Sequence, residues 1–152
     1  RMGDDLGYKS NTMLSAEDIK RYIVPGYADI VRLSHSYGLP FLLHSCGNIF
    51  NVMEDIINVA KINAKHSNED QIAPFSVWVE RYGDRIGNFG GVDADVLCRT
   101  DKQQLKEYIT NLLYSVGNEK GIAIGTGNSV PDYVPTENYI NMIETVREYR
   151  KG

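Results

Sequence analysis

The chain lacks several features that would each have settled its class. Two cysteines, Cys46 and Cys98, in 152 residues cannot make a disulfide framework. A reducing, cytoplasmic compartment is the expectation that follows. No apolar run approaches the roughly 18 residues of a spanning helix, and no signal peptide is visible, so no membrane contact is expected. Lys and Arg together number 16 against 20 for Asp and Glu, and the formal charge of −4 comes without a basic patch. That excludes an electrostatic footprint for nucleic acid. There is no low-complexity linker and no sign of a second domain. A complete eight-stranded α/β barrel needs roughly 250 residues, about 31 per βα unit. The length therefore suits one compact domain of another fold, or about half a barrel. The opening Arg1-Met2-Gly3-Asp4-Asp5 reads as a cut through an element.

What is present is alternation. Ser15-Ala16-Glu17-Asp18 reads as an N-cap with early acids, followed by Ile19, Tyr22, Ile23, Ile30, Val31 and Leu33 at helical spacing. A kink is expected at Pro25 and a stop at Gly38. Pro40-Phe41-Leu42-Leu43-His44 is a short apolar run between breakers, hence a strand. A helix carrying Phe50, Met53, Ile56, Ile57 and Ala60 comes next, then a weaker strand, Ile62 to His66. Pro74 suits the first turn of a helix with Val77, Trp78 and Tyr82, closed by Gly83. Arg85 to Phe89 forms a strand ending in Gly90-Gly91. Thr100 is expected to cap a helix bearing Leu105, Tyr108, Ile109, Leu112, Leu113 and Val116, stopped by Gly117. Gly121 to Gly125 is the last strand, and Thr136 is expected to cap a final helix with Ile140, Ile143 and Val146 inward. Four full strand–helix units, and a fifth strand end at Asp4-Asp5, predict an α/β fold with a parallel sheet. Periodicity alone leaves barrel and open sheet both standing.

In parallel α/β folds, ligand-handling residues sit just past the C-terminal ends of the strands. The unusual polar residues fall at those points: Asp4 with Asp5, His44 with Cys46, His66 with Glu69, Gly90-Gly91 with Asp93, and Thr126 with Asn128. His44-Ser45-Cys46 is the sharpest element, because alternate residues leaving a strand point to one side and can converge on one ion. Zinc takes His nitrogen and Cys thiolate, and catalytic sites keep a fourth position open. Glu69 is a candidate carboxylate ligand, so the predicted metal set is His44, Cys46 and Glu69. The bland alternative is a core histidine, an inert thiol and a solvated loop acid. His66 points into the barrel or contacts substrate. Gly90 and Gly91 permit close backbone approach to a ligand, and Asp93 either touches substrate or caps the next helix. Asn128 lies in a glycine-rich turn that could cradle an anion. Asp4 and Asp5 point opposite ways in an extended segment, so only one of them faces the site. Cys98 sits in a helical run and reads as structural.

Six stretches carry a resemblance over the whole chain: G-D-D-L-G at 3–7, M-L-S-A-E-D-I at 13–19, L-P-F-L-L-H-S-C-G-N at 39–48, R-Y-G-D-R-I at 81–86, G-G-V-D at 90–93 and G-T-G-N-S-V-P-D-Y-V-P-T-E-N-Y at 125–139. Their order and spacing resemble uroporphyrinogen decarboxylases and their relatives, the methylcobamide:coenzyme M methyltransferases. The resemblance implies a (β/α)₈ barrel, with residues 1–152 supplying the C-terminal half of a single barrel domain. The methyltransferase branch is similar in placing His-x-Cys after a strand, here His44 and Cys46. Zinc there binds a substrate thiol as thiolate, which attacks a methyl group on a corrinoid cobalt. Glu69 matches the place where zinc-dependent methionine synthases of similar fold put a carboxylate ligand.

Two departures matter. The last-strand turn, Cys in the methyltransferases and His in the decarboxylases, reads Thr126. The decarboxylase Asp-Ser-Trp-Ala-Gly segment is replaced by Asp4-Asp5-Leu6-Gly7. The expected function is a zinc-assisted methyltransferase acting on a small thiol-type acceptor, with a corrinoid protein as methyl donor. The residues expected toward substrate are Asp4, His66, Gly90, Gly91, Asp93 and Asn128, with Asp5 and Thr126 as catalytic candidates. One alternative is cofactor-free uroporphyrinogen decarboxylation, with Asp5 and Thr126 near the decarboxylase site positions. A second alternative is an inactive structural piece. Half a barrel exposes strand edges, so the chain is expected to associate with itself or with the missing half.

Overall fold

A computed structural model describes residues 1–117 and 121–151. Strands β1 (Met2–Gly3), β2 (Leu42–His44), β3 (Ala64–His66), β4 (Gly87–Val92) and β5 (Ile122–Thr126) form one sheet in chain order. Each strand pairs in parallel with the next. An open doubly wound sheet reverses its strand order at a switch point. No reversal occurs here, and strictly sequential parallel pairing is the topology of a barrel wall. The fold is α/β, a partial (β/α) barrel.

Helices lie between the strands. The first connection holds α1 (Ala16–Asp18), a π-helical turn (Ile19–Ile23) and α2 (Val24–Ser36). Ser15 caps α1 through its side chain. The interruption expected at Pro25 takes the form of that π turn, because proline supplies no N–H for the regular ladder and its ring crowds the preceding turn. Ile19, Val24, Tyr27 and Val31 are buried, whereas Tyr22, Ile30 and Leu33 are exposed. The second connection holds α3 (Met53–Asp55) and a π turn (Ile56–Ala60), closed by Lys61 in the left-handed region. Then come α4 (Phe75–Tyr82), α5 (Ala94–Arg99), α6 (Lys102–Val116) and α7 (Thr136–Tyr149). Among the described residues no helix is long and apolar enough to cross a membrane.

Three details correct the sequence reading. Strand β4 runs on to Val92, because Gly90 and Gly91 stay in the ladder opposite Ile124 and Gly125. Asp101, not Thr100, caps α6: its carboxylate accepts the Gln104 N–H, and the Gln104 side chain accepts the Asp101 N–H. The Thr100 hydroxyl instead closes α5 on the Val96 carbonyl. Helix α7 starts at Thr136 with no side-chain cap, and Ile140 faces outward. Its inner face carries Asn138 and Asn141, whose amides donate to the carbonyls of Leu97, Thr100 and Lys102. That polar pairing, invisible to hydrophobic periodicity, sets the helix's rotation.

Two apolar clusters fill the space between sheet and helices. One joins α2, β2 and the second connection to Trp78, which stacks on Phe50 at 4.0 Å. The other joins α4, α5, α6 and α7 to Val92. Alternation along the strands aims Leu43 and Lys65 at the helices and His44 and His66 at the opposite face. Lys65 is only 2 % exposed. Its ammonium lies 4.0 Å from the centroid of the Trp78 ring and donates to the Ser67 carbonyl. Among the described residues no carboxylate forms a salt bridge with it. Among the described residues the buried Trp78 indole N–H and Asn88 Oδ1 find no partner. Burial pushes the Lys65 amine down to about 7.

Two outcomes are expected. Between about pH 7 and the ordinary lysine value of 10.5, the unfolded chain holds a proton at Lys65 that the folded chain does not. Stability therefore rises with pH across that window. Lys65→Met, which removes the ammonium and keeps an apolar stem over Trp78, flattens the rise and adds most stability at the low-pH end. Denaturant midpoints of both proteins across the window check this, and a gap that does not change with pH contradicts it. Separately, Asp101→Ala lowers unfolding free energy by about 1 kcal/mol, while Thr100→Ala leaves the capping box intact. Equal losses from the two substitutions would point to a different cap.

Candidate metal centre

Parallel pairing brings the C-terminal ends of all five strands to one edge, and the polar residues gather there. After β1 the chain stays extended, with the Asp4 N–H donating to the His44 carbonyl. Asp4 turns toward the helices and accepts from the Tyr27 hydroxyl at 2.7 Å. Asp5 points the other way, and its Oδ1 accepts the Cys46 N–H at 3.2 Å. The two neighbours thus part as an extended segment requires, and Asp5 is the one that meets His44 and Cys46.

The loop carrying Cys46 is held by close backbone packing. Gly47 has φ 88° and lies so near Gly7 that a Cβ would fall 2.0 Å from the Gly7 carbonyl carbon. Only glycine fits there. The buried Ser45 hydroxyl accepts the Leu6 N–H, tying the same two segments together. Cys46 is left half-buried with its thiol toward the rim: Sγ lies 3.5 Å from His44 Nε2 and 3.5 Å from Ser67 Oγ. The Asn128 amide donates to it at 3.3 Å. One donor atom each from Asp5, His44 and Cys46 lies within 4.8 Å of the other two.

His44 and His66 are register partners at the ends of β2 and β3. Their Nδ1 atoms approach to 2.7 Å, and His66 Nε2 lies 2.9 Å from the Thr126 carbonyl oxygen. Burial lowers the pKa of both rings, and for His44 the Arg1 charge adds to it. Burial raises the Cys46 thiol, with Asp5 contributing in the same direction and Ser67 opposing. Without a metal the site therefore holds neutral imidazoles and a protonated thiol.

The remaining predicted residues are placed as follows. Glu69 is not in the three-residue cluster. It lines a polar groove of about 260 Å³ with Lys9, Asn68, Asp93 and Asn128, next to Cys46 across Asn128. Asp93 caps α5 through the N–H groups of Asp95 and Val96 and also accepts from the Asp70 N–H. The close approach that Gly90 and Gly91 allow is taken up within the chain. A Cβ at Gly90 would fall 2.5 Å from Asn68 Oδ1, and one at Gly91 would meet the Phe75 ring. Thr126 contributes its backbone carbonyl to His66. Cys98 packs against the second core cluster. Sequence reasoning passed over Ser67 and Asn68, although both lie directly beyond β3 and obey the same strand-end rule.

The donor set suits zinc. Ligands at about 2.0–2.3 Å on a tetrahedral centre sit roughly 3.5 Å apart, and His44 Nε2 and Cys46 Sγ are separated by 3.5 Å. Asp5 is exposed and can adjust to close the third corner. Three protein donors with a fourth side open is the pattern of a catalytic rather than a structural zinc site.

Comparison with known proteins agrees with the fold. The family described as uroporphyrinogen decarboxylase (URO-D) matches residues 2–149. A solved structure of a methyltransferase from Methanosarcina mazei is similar, with TM-score 0.75 and 17 % identity, over 98 % of this chain and 41 % of that one. The chain thus spans about two-fifths of that protein's length, and at this identity the likeness establishes the fold alone. No curated protein sequence matches the chain significantly. With the match covering nearly every residue from β1 to the end of α7, the chain belongs to the uroporphyrinogen decarboxylase family.

Proposed function

We propose that the chain carries the metal-binding part of a zinc-assisted methyltransferase that activates a thiol-type acceptor, with a corrinoid on a partner protein as the methyl donor. The observation behind this is the convergence of Asp5, His44 and Cys46 within 4.8 Å at the open rim. In this reading His44 supplies Nε2, Cys46 its sulfur and Asp5 a carboxylate oxygen. Zinc held there would let a thiol shed its proton at neutral pH. Asn128 and Ser67 would keep Cys46 Sγ in place through their contacts with it. The groove beside Asn128, with Glu69 and Asp93 on its walls, would receive the acceptor. Asp4, held by Tyr27, would fix the segment that carries Asp5. The strands that this chain does not supply would complete the substrate pocket.

Cofactor-free decarboxylation is the second reading, and the family match is the observation that favours it. It assigns the reaction to Asp5, Thr126 and the groove residues and needs no metal. The two readings part on one experiment. The purified protein, loaded with zinc under reducing conditions, is expected to retain about one zinc per chain. Cys46→Ser is expected to lose it, and Asp5→Asn to weaken it. Zinc retained in full by Cys46→Ser, or none held by the wild type, would reject the methyltransferase reading.

Thiol reactivity gives an independent check. A pKa raised by burial means less thiolate at neutral pH, so metal-free Cys46 alkylates more slowly than free cysteine. Asp5→Asn removes one raising influence and is expected to speed alkylation several-fold. Zinc is expected to protect the residue. Mass-spectrometric rates for the Cys46 peptide measure all three, and fast labelling of the zinc-loaded protein would contradict the ligand assignment.

A further inference from the structure

We infer that His66 is a positioning residue that fixes which nitrogen of His44 is free to bind a metal. This rests on reading His44 as a ligand. It adds a role for a histidine whose two ring nitrogens are both engaged within the chain. A backbone carbonyl can only accept a hydrogen bond. His66 Nε2 lies 2.9 Å from the Thr126 carbonyl oxygen, so Nε2 carries the proton. Among the described residues His66 hydrogen-bonds no carboxylate, and the Thr126 carbonyl offsets only part of the cost of burying an imidazolium, so the ring is neutral. A neutral ring has one N–H, so His66 Nδ1 is an acceptor.

The Nδ1 atoms of the two rings are 2.7 Å apart, which needs one proton between them. That proton belongs to His44. With Nδ1 protonated, neutral His44 presents a bare Nε2, and it is Nε2 that faces Cys46 Sγ at 3.5 Å. The Thr126 carbonyl thus sets a relay through His66 that leaves a lone pair aimed at the metal position. Ligating histidines are commonly oriented in this way by a partner on the far nitrogen. Here the partner is a second histidine, itself polarised from β5. Strands β2, β3 and β5 are thereby coupled in one tautomer choice.

The test uses His66→Leu and His66→Gln. Glutamine can donate its amide N–H to the Thr126 carbonyl and accept from His44 Nδ1 with its oxygen, so it preserves the relay; leucine can do neither. Nitrogen NMR of ¹⁵N-histidine-labelled, metal-free protein reads the tautomer, and competition with a chelator reads zinc affinity. Wild type and His66→Gln are expected to show His44 protonated at Nδ1 and bare at Nε2. His66→Leu is expected to move that proton at least partly to Nε2 and to weaken zinc roughly tenfold or more. A wild-type His44 protonated at Nε2 would overturn the inference, as would a leucine variant unchanged in tautomer and affinity. So would a glutamine variant as impaired as the leucine one. If the wild type bound no zinc, the functional proposal would fail, while the tautomer measurement would still decide the role of His66.

Discussion

The parallel register of β2 against β3, which sets His44 directly beside His66, is the constraint on which the site depends. Parallel pairing sends every strand end to the same edge, and this register puts two imidazoles in contact there at 2.7 Å. The β4–β5 pairing brings the Thr126 carbonyl to the far side of His66. A slip of one residue in β3 would turn His66 toward the helices and Lys65 toward the rim. The chemistry of His44 would lose its partner and the layer over Trp78 its lysine. Fold and site are therefore fixed by the same hydrogen-bond ladder.

Around that ladder, small local devices bring the loops close. Gly7 and Gly47 let two backbone segments touch, which places the Asp5 carboxylate on the Cys46 N–H. Asn68 lies against Gly90, and its side-chain oxygen accepts the Gly91 N–H. Each contact joins residues far apart in the chain. Lys65 works from behind the sheet: its ammonium donates to the carbonyl of Ser67, the residue whose hydroxyl meets Cys46 Sγ. The cost of burying an ammonium there is met only in part by the Ser67 carbonyl and the Trp78 ring.

The sequence was a good guide to whatever depends on local pattern. Strand and helix alternation was legible, because a period of two and a period of 3.6 leave different traces. So was the rule that chemistry lies past strand ends, and it located His44, Cys46, His66 and Asn128. That Asp5, and not Glu69, lies within 4.8 Å of the His44 and Cys46 donor atoms was not legible. Asp5 reaches Cys46 only because Gly7 and Gly47 pack, and such a contact between residues some 40 apart has no local signature. On α7, Ile143 and Val146 pack on the core as expected, but Ile140 was misread for a related reason. The helix's Asn138 and Asn141 are drawn inward by carbonyls at the end of α5 and the start of α6, which hydropathy does not register.

X-ray absorption at the zinc edge of the loaded protein tests the central claim most directly. The account predicts one sulfur at about 2.3 Å and nitrogen or oxygen donors near 2.0–2.2 Å, with an imidazole scattering pattern. That is the set Cys46, His44 and Asp5 would give. A shell of light donors without sulfur, or one with sulfur but no imidazole, would contradict it.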